Sequence, residues 1–181
     1  MDQVIRFLLK ILTPIQKLMQ KIGPPEPSMT KKQVDEILFL AGPGKVLHSR
    51  ERLHLTYNFI KGFWKHSAII ARHPETGELV VVEAIGSGVQ WVPIEEWLYK
   101  KSFVMMQERE GYEQEQLDDC GAWAFDQCGK KYDYEFSGDD KEFYCSELAA
   151  DALDIKLDGI LEPTELSERK ELRTIYDSRK G

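Results

Sequence analysis

Residues 143–153 read FYCSELAADAL, with one cysteine, Cys145, between an aromatic pair and a run of strong helix formers. A polar stretch, SGDDKE, runs into it from residue 137. The pattern predicts a loop that gives way to a helix at Cys145, with the thiol in the first turn. Backbone N–H groups there have no partner inside the helix, and their dipoles favour an anion. A thiol with an ordinary pKa of ~8.5 becomes easier to ionise at such a place, and more so beside an imidazolium. The same N–H groups can hold the oxyanion formed when a thiolate attacks a carbonyl. The competing reading is a small apolar plug in the core. Cys120 and Cys128 flank the helical stretch GAWAFDQ with no loop-to-helix step beside them, and they read as structural.

A thiolate of this kind needs a base. His48 and His54 lie in residues 46–62, where SRERLHLTYNFIKG favours helix, and His73 sits in the turn RHPETG. His66 opens an apolar strand, HSAIIA, behind the pair Phe63–Trp64. The strand GELVVVEAI follows, joined to the first by the turn HPETGE. If His73 pairs with Glu78, His66 faces Ile85, and Glu83 lies on a diagonal of the same face, within reach of long side chains. Glu83 comes late in an otherwise apolar strand, where an unpaired charge is costly. His66 is its natural partner, and a base oriented by a third group is the arrangement that nucleophilic catalysis uses.

His66 in WKHSAII, Glu83 in VVVEAI and Cys145 in FYCSELAADAL occur in that order. They resemble the circularly permuted papain-like group of the NlpC-type superfamily, the YiiX-like group. In ordinary papain-like enzymes the cysteine comes first, whereas in the permuted group the histidine strand precedes the cysteine helix. The resemblance runs from DEILFLAG to LEPTEL and is most specific across KKYDYEF and KEFYCSEL. It implies an α+β permuted papain-like fold with an antiparallel sheet packed against the cysteine-bearing helix. It also implies a cysteine amidase or peptidase acting through a Cys145 thioester, with His66 as general base and then acid and Glu83 orienting it. The substrates implied are peptides or other amides of cell-wall type. Relatives of the same permuted fold are thiol-dependent acyltransferases on lipids, and a binding module that keeps the fold without catalysis is a third reading. Tyr132, Tyr134 and Tyr144 lie close to the nucleophile in sequence, either as donors to the oxyanion (Tyr132 and Tyr144) or as rim and core aromatics. The chemistry requires no metal and no organic cofactor. In the family the first strand starts with a Gly-Asp pair, where this chain has Val34-Asp35-Glu36.

Composition narrows the alternatives. The chain has 181 residues and a net charge of −7, which excludes general nucleic-acid binding because phosphates would be repelled. Its three cysteines form no CxxC pair, so neither a zinc knuckle nor a disulfide framework is expected. Free thiols point to a reducing compartment, the cytoplasm. Residues 1–22 place Ile5, Leu8, Leu12, Ile15, Met19 and Ile22 at helical spacing, with Lys10, Lys17 and Lys21 away from that stripe. Asp2 and Lys10 argue against a signal peptide, and the apolar run is shorter than the ~20 residues that span a bilayer. Such a basic amphipathic helix packs on its own domain, on a second copy, or on a membrane surface. GPPEPSMTKK reads as a linker, which divides the chain into residues 1–27 and a catalytic domain at 28–181. Within that domain VDEILFLAG is expected as a strand ending at a Gly-Pro-Gly turn and FVMMQER as another. VPIEEWLYKK is a short helix with Pro93 in its first turn, and a last short helix is capped by Thr164 or Ser167. Strands and helices are segregated, which argues for α+β.

Overall fold

The structure, a computed structural model, describes residues 28–51, 60–138, 141–157 and 159–180. The N-terminal amphipathic helix and His54 lie outside the described residues. The elements in chain order are α1 (Lys31–Leu40), β1 (Val46–Arg50), β2 (His66–Arg72), β3 (Leu79–Ile85), β4 (Gly88–Pro93), α2 (Ile94–Tyr99), β5 (Phe103–Arg109) and α3 (Gln114–Asp126). They continue with β6 (Lys131–Tyr132), β7 (Glu142–Phe143), α4 (Cys145–Ala152), α5 (Pro163–Ser167) and β8 (Leu172–Asp177). Six strands form one sheet in the order β4-β3-β2-β1-β5-β8, and every neighbouring pair is antiparallel. The architecture is α+β, as expected.

The sheet is covered on both faces, so its central strands are apolar throughout. Ile69, Ala71, Val80 and Val82 pack toward α3 and α4, together with Leu148 and Ala149 of α4. Ala68, Ile70 and Val81 point the other way, into a second core made with Val34 and Ile37 of α1 and Trp97 and Leu98 of α2. The hairpin closes as its turn residues imply. His73 N–H donates to Glu78 O at 2.8 Å, Gly77 N–H donates to His73 O at 2.9 Å, and Ile69 pairs with Val82. This is the register that aligns His66 with Ile85.

Three expectations are corrected. VDEILFLAG is not a strand: it belongs to α1. Thr30 caps that helix by accepting from Gln33 N–H, and Gln33 accepts from Thr30 N–H in return. Lys31–Asp35 and Lys32–Glu36 pairs line its exposed side. The Val-Asp-Glu comparison with the family's first strand therefore falls away. Residues 46–50, read as the start of a helix, form β1, because a strand between β2 and β5 buries both of its faces and Val46, Leu47, His48 and Ser49 are all buried. The rest of that stretch, residues 52–59, lies outside the described residues. The last short helix is capped by Glu162, not by Thr164 or Ser167, with Pro163 following directly.

The Gly-Pro-Gly turn places β1 beneath α3. Gly44 has φ +75° and donates to Ile70 O at 2.8 Å, and a Cβ built on it would lie 2.2 Å from Leu117 O. Gly44→Ala is expected to cost about 2–4 kcal/mol of unfolding free energy through backbone strain plus the clash. Urea denaturation measures it, and a loss under ~0.5 kcal/mol would show that the close packing of turn on helix is absent.

Candidate active site

The chain reaches Cys145 along a short ribbon. Lys131 and Tyr132 pair in parallel with Glu142 and Phe143, and Asp133 N–H donates to Phe143 O at 3.0 Å. The buried Asp133 carboxylate folds the following loop by accepting from the N–H groups of Glu135 at 2.8 Å and Ser137 at 2.5 Å. Val89 N–H donates to Lys130 O at 2.8 Å and the Tyr134 hydroxyl to Gly86 O at 2.8 Å, which fixes the ribbon to the sheet. Tyr144 is the extended N-cap, and the helix starts at Cys145 itself. Glu147, at the third helical position, accepts from Tyr144 N–H at 3.2 Å and so satisfies the cap from below. Small residues Ala149, Ala150 and Ala152 let α4 lie close to β2.

His66 is brought to the same place by the start of β2. Trp64 is clamped to α5, with its N–H donating to Thr164 Oγ1 at 2.9 Å and its carbonyl accepting from the same hydroxyl at 3.1 Å. The β2–β3 ladder ends at Ile69–Val82. Beyond that point His66 and the Ser67 backbone come next to the Cys145 sulfur, near enough to shift its ionisation.

His66 stands between Cys145 and Glu83. His66 Nε2 lies 2.9 Å from Glu83 Oε2, which leaves Nδ1 for the sulfur. Glu83 is held by two further donors, Trp97 Nε1–H at 2.8 Å and Gln90 Nε2 at 3.3 Å. The Lys101 ammonium, bonded to Glu51, lies 4.4 Å from the Trp97 ring centroid. All three groups are nearly enclosed: the His66 side chain is 12% exposed, that of Glu83 9%, and Cys145 is 6% exposed.

Burial pushes each group toward its neutral form, and in each case the neighbours win. For Glu83 the His66 bond and charge, then the Lys101 charge and the Trp97 bond, hold the carboxyl down at about 2. For His66, bonds to Cys145 and Glu83 overcome burial and raise the imidazole to about 9. For Cys145, the His66 bond and charge together with the Ser67 N–H and Ser146 side chain draw the thiol below its usual range. The neighbours therefore draw Cys145 and Glu83 toward their charged forms and His66 toward imidazolium, the direction in which a thiol becomes a nucleophile beside a proton donor.

The remaining sequence candidates divide by location. Tyr132 lies on β6 within electrostatic reach of Cys145, and burial, then the neighbouring sulfur, push its hydroxyl well above the usual phenol range. The Tyr144 hydroxyl accepts from Leu161 N–H at 3.2 Å, and Tyr134 is tied to Gly86. Cys120 is buried in α3, and Cys128, raised to about 11 by burial and then by Asp126, follows that helix. His73 sits in its turn between the rings of Trp91 and Phe125. His48, passed over in the sequence, is fully buried, with Nδ1 3.0 Å from Ser67 Oγ and a pKa held down to about 3 by burial. Sequence reasoning also missed Gln90, Trp97, Lys101 and the Ser67 N–H. The signal for Trp97 was present: a tryptophan facing the Glu83 side of the sheet from an adjacent helix carries one N–H that burial obliges it to satisfy. A cavity of about 690 Å³ lies along another face of α4, lined by Tyr144, Glu147 and Asp151, and Cys145 does not line it. Among the described residues no cluster of three or more His, Cys, Asp or Glu side chains is placed to hold a metal ion.

Residues 41–174 match the model of a family described as permuted papain-like amidase enzymes, YaeF/YiiX, C92 family. The crystal structure of metalloprotein yiiX from Escherichia coli O157:H7 superposes with a TM-score of 0.62 at 18% sequence identity, covering 75% of this chain and 96% of that one. That likeness is one of fold. No curated protein matches the chain.

Glu83→Gln is expected to lower the His66 pKa from about 9 toward the ordinary ~6.5 and to let the Cys145 pKa rise. The imidazole would then lose its charge as pH rises through 7, instead of through 9. NMR titration of the His66 ring reads this directly. Trp97→Phe keeps the packing and deletes one donor from a carboxylate that stays ionised, so His66 should remain charged at neutral pH, in contrast to Glu83→Gln. A His66 titration unchanged in Glu83→Gln would refute the coupling.

Proposed function

The chain belongs to the permuted papain-like amidase family, and from that premise we propose that it hydrolyses an amide bond of a peptide-like substrate through a thioester on Cys145. The observation that carries this reading is the His66 ring, hydrogen-bonded to Glu83 and set beside the Cys145 sulfur closely enough for the two to shift each other's ionisation. The Cys145 thiolate attacks the carbonyl carbon, an S–C bond forms, and the carbonyl electron pair moves to oxygen. The N–H groups of the first turn of α4, including that of Cys145 itself, would hold that oxyanion. Tyr132, within electrostatic reach of the sulfur, would add a hydroxyl donor, and its raised pKa keeps that proton in place at neutral pH. His66 gives its proton to the amine as the C–N bond breaks. It then takes a proton from water as the hydroxide displaces sulfur, and Glu83 holds the ring in the required orientation throughout. A cell-wall-derived peptide suits the family, and a reducing, cytoplasmic setting suits three unpaired cysteines. Among the described residues no helix is long and apolar enough to cross a membrane.

A second reading has one feature in its favour. Acyl transfer on a lipid would use the same three groups, and the basic amphipathic pattern of residues 1–22 fits attachment to an anionic surface. Flotation with anionic liposomes, lost on removal of residues 1–27, is the outcome that would support it; equal flotation of both proteins would rule it out.

The hydrolase reading is tested with substoichiometric iodoacetamide followed by peptide mapping. Cys145 is expected to be labelled first near pH 7, because its thiol is drawn below its usual range while Cys128 is raised to about 11. The preference should shrink as pH rises and Cys128 begins to ionise. Cys145→Ala should reduce amide hydrolysis by a factor on the order of 10⁴ or more. Preferential labelling of Cys120 or Cys128 at neutral pH, with Cys145 inert, would overturn the assignment.

A further inference from the structure

A row of polar side chains crosses the core behind the start of β2. Ser67 of β2, His48 of β1 and Gln107 of β5 are all buried, on the face of the sheet that carries Val46 and Ile69. Apolar residues would fill this space at less cost, since every enclosed polar atom needs a partner. The end of β2 that bears His66 and Ser67 is thinly held. The β2–β3 ladder stops at Ile69–Val82, so from there β2 is paired with β1 alone among the described residues. Backbone-bonded pairs alternate along an antiparallel ladder. Ile70 N–H donates to Lys45 O at 2.8 Å, so the His48–Ser67 pair, three steps on, carries no backbone bonds. Side chains make the tie at that level: His48 Nδ1 lies 3.0 Å from Ser67 Oγ. The Ser67 peptide is turned the other way, toward where β3 has parted, and comes beside the Cys145 sulfur.

We infer that His48 is a positioning residue for the proposed reaction: with its proton on Nε2, directed to Gln107, it accepts the Ser67 hydroxyl at Nδ1. It thereby holds the loose end of β2, with the His66 ring and the Ser67 peptide, against Cys145. The inference rests on the reading of Cys145 and His66 as the reacting pair. The far end of the row sets the direction of the bonds. Gln107 Nε2 donates to Ser167 O and to Thr174 Oγ1, both at 3.0 Å, and a carbonyl can only accept, which fixes the orientation of the amide. Gln107 Oε1 and His48 Nε2 are left enclosed on diagonal positions of one face, with no other partner among the described residues. The amide oxygen only accepts, so the imidazole proton belongs on Nε2, and Nδ1 is free to take the single proton of Ser67. Burial holds His48 down to about 3, with the adjacent Gln107 side chain opposing it, so the ring stays neutral and keeps this tautomer.

The whole chain provides the test. In nitrogen-15 NMR, His48 should show a bare Nδ1 and a protonated Nε2 that do not titrate between about pH 5 and 9, and a proton on Nδ1 overturns the inference. The positioning is read from the rate at which iodoacetamide alkylates Cys145, followed against pH. Ser67→Ala removes the hydroxyl and His48→Leu the acceptor. Each is expected to slow labelling at pH 7 about 5–10-fold and to move the profile to higher pH, because a small displacement of the imidazole weakens its hold on the thiol. His48→Asn keeps an acceptor at the place of Nδ1 and should stay within about twofold of wild type. The double variant Ser67→Ala/His48→Leu should be no slower than His48→Leu, since both changes remove one bond. A purely structural role would lower the melting temperature and leave the pH profile where it was. An unchanged profile in Ser67→Ala overturns the inference, as does a His48→Asn protein as slow as His48→Leu. Should His48→Leu fail to fold, Ser67→Ala, which loses one buried oxygen, decides alone. A wild-type Cys145 inert to the reagent is a different result: it overturns the reading of the reacting pair, and the role of His48 with it.

Discussion

The Glu83 carboxylate is held ionised inside the protein, and the end of the sheet around it is arranged to tolerate that charge. A charge removed from water is costly unless it is paired and hydrogen-bonded. The partners come from four directions: His66 from β2, Gln90 from β4, Trp97 from α2, and Lys101 just beyond that helix. This explains why a helix of six residues lies where it does, with an indole pointed at a strand and a lysine over the indole. It also gives direction to the electrostatics. The carboxylate is kept ionised, it keeps the imidazole charged, and the imidazole draws the thiol below its usual range. Each link opposes burial, so the removal of one partner is felt along the whole line.

Much of this was legible in the sequence because it depends on local rules. Alternating β-branched residues, a Pro-Glu-Thr-Gly turn and the parity of a hairpin were enough to bring Glu83 to the face of His66. The step from polar loop to helix formers was enough to place Cys145 at a helix start. What the sequence hid was decided by tertiary context. β1 is short, contains a histidine and a serine, and is a strand because it lies between two others. VDEILFLAG has strand-like composition, yet a capping box and two charge pairs one turn apart make it α1. His48 had no sequence neighbour to recommend it, and its partner, Ser67, comes from the adjoining strand. Trp97 and Lys101 belong to the site only because α2 packs back over the sheet.

The two halves of the site come from separate parts of the chain. Residues 46–109 build five of the six strands of the sheet and carry His66 and Glu83, whereas the sulfur arrives later on a ribbon of two-residue strands. Both halves depend on fixings that touch no reacting atom. Thr164 grips the backbone of Trp64 and thereby sets the start of β2, while Lys130 and Val89 hold the ribbon to the sheet. Precision at the sulfur is therefore borrowed from residues of α5 and of the β4 edge.

The last strand has a role beyond its place in the sheet order. β8 lies at the outer margin next to β5, whose sequence FVMMQER is apolar over its first half. Without β8, that segment would show a bare row of amide and carbonyl groups along an oily stretch of backbone, an invitation for another chain to zip on. Arg173 and Asp177, each engaged with an opposite charge, make the replacement rim a poor template for such pairing. A chain cut short before residue 172 would keep His66, Glu83 and Cys145 but bare that edge, so the carboxyl-terminal segment shields the sheet and adds no group to the site.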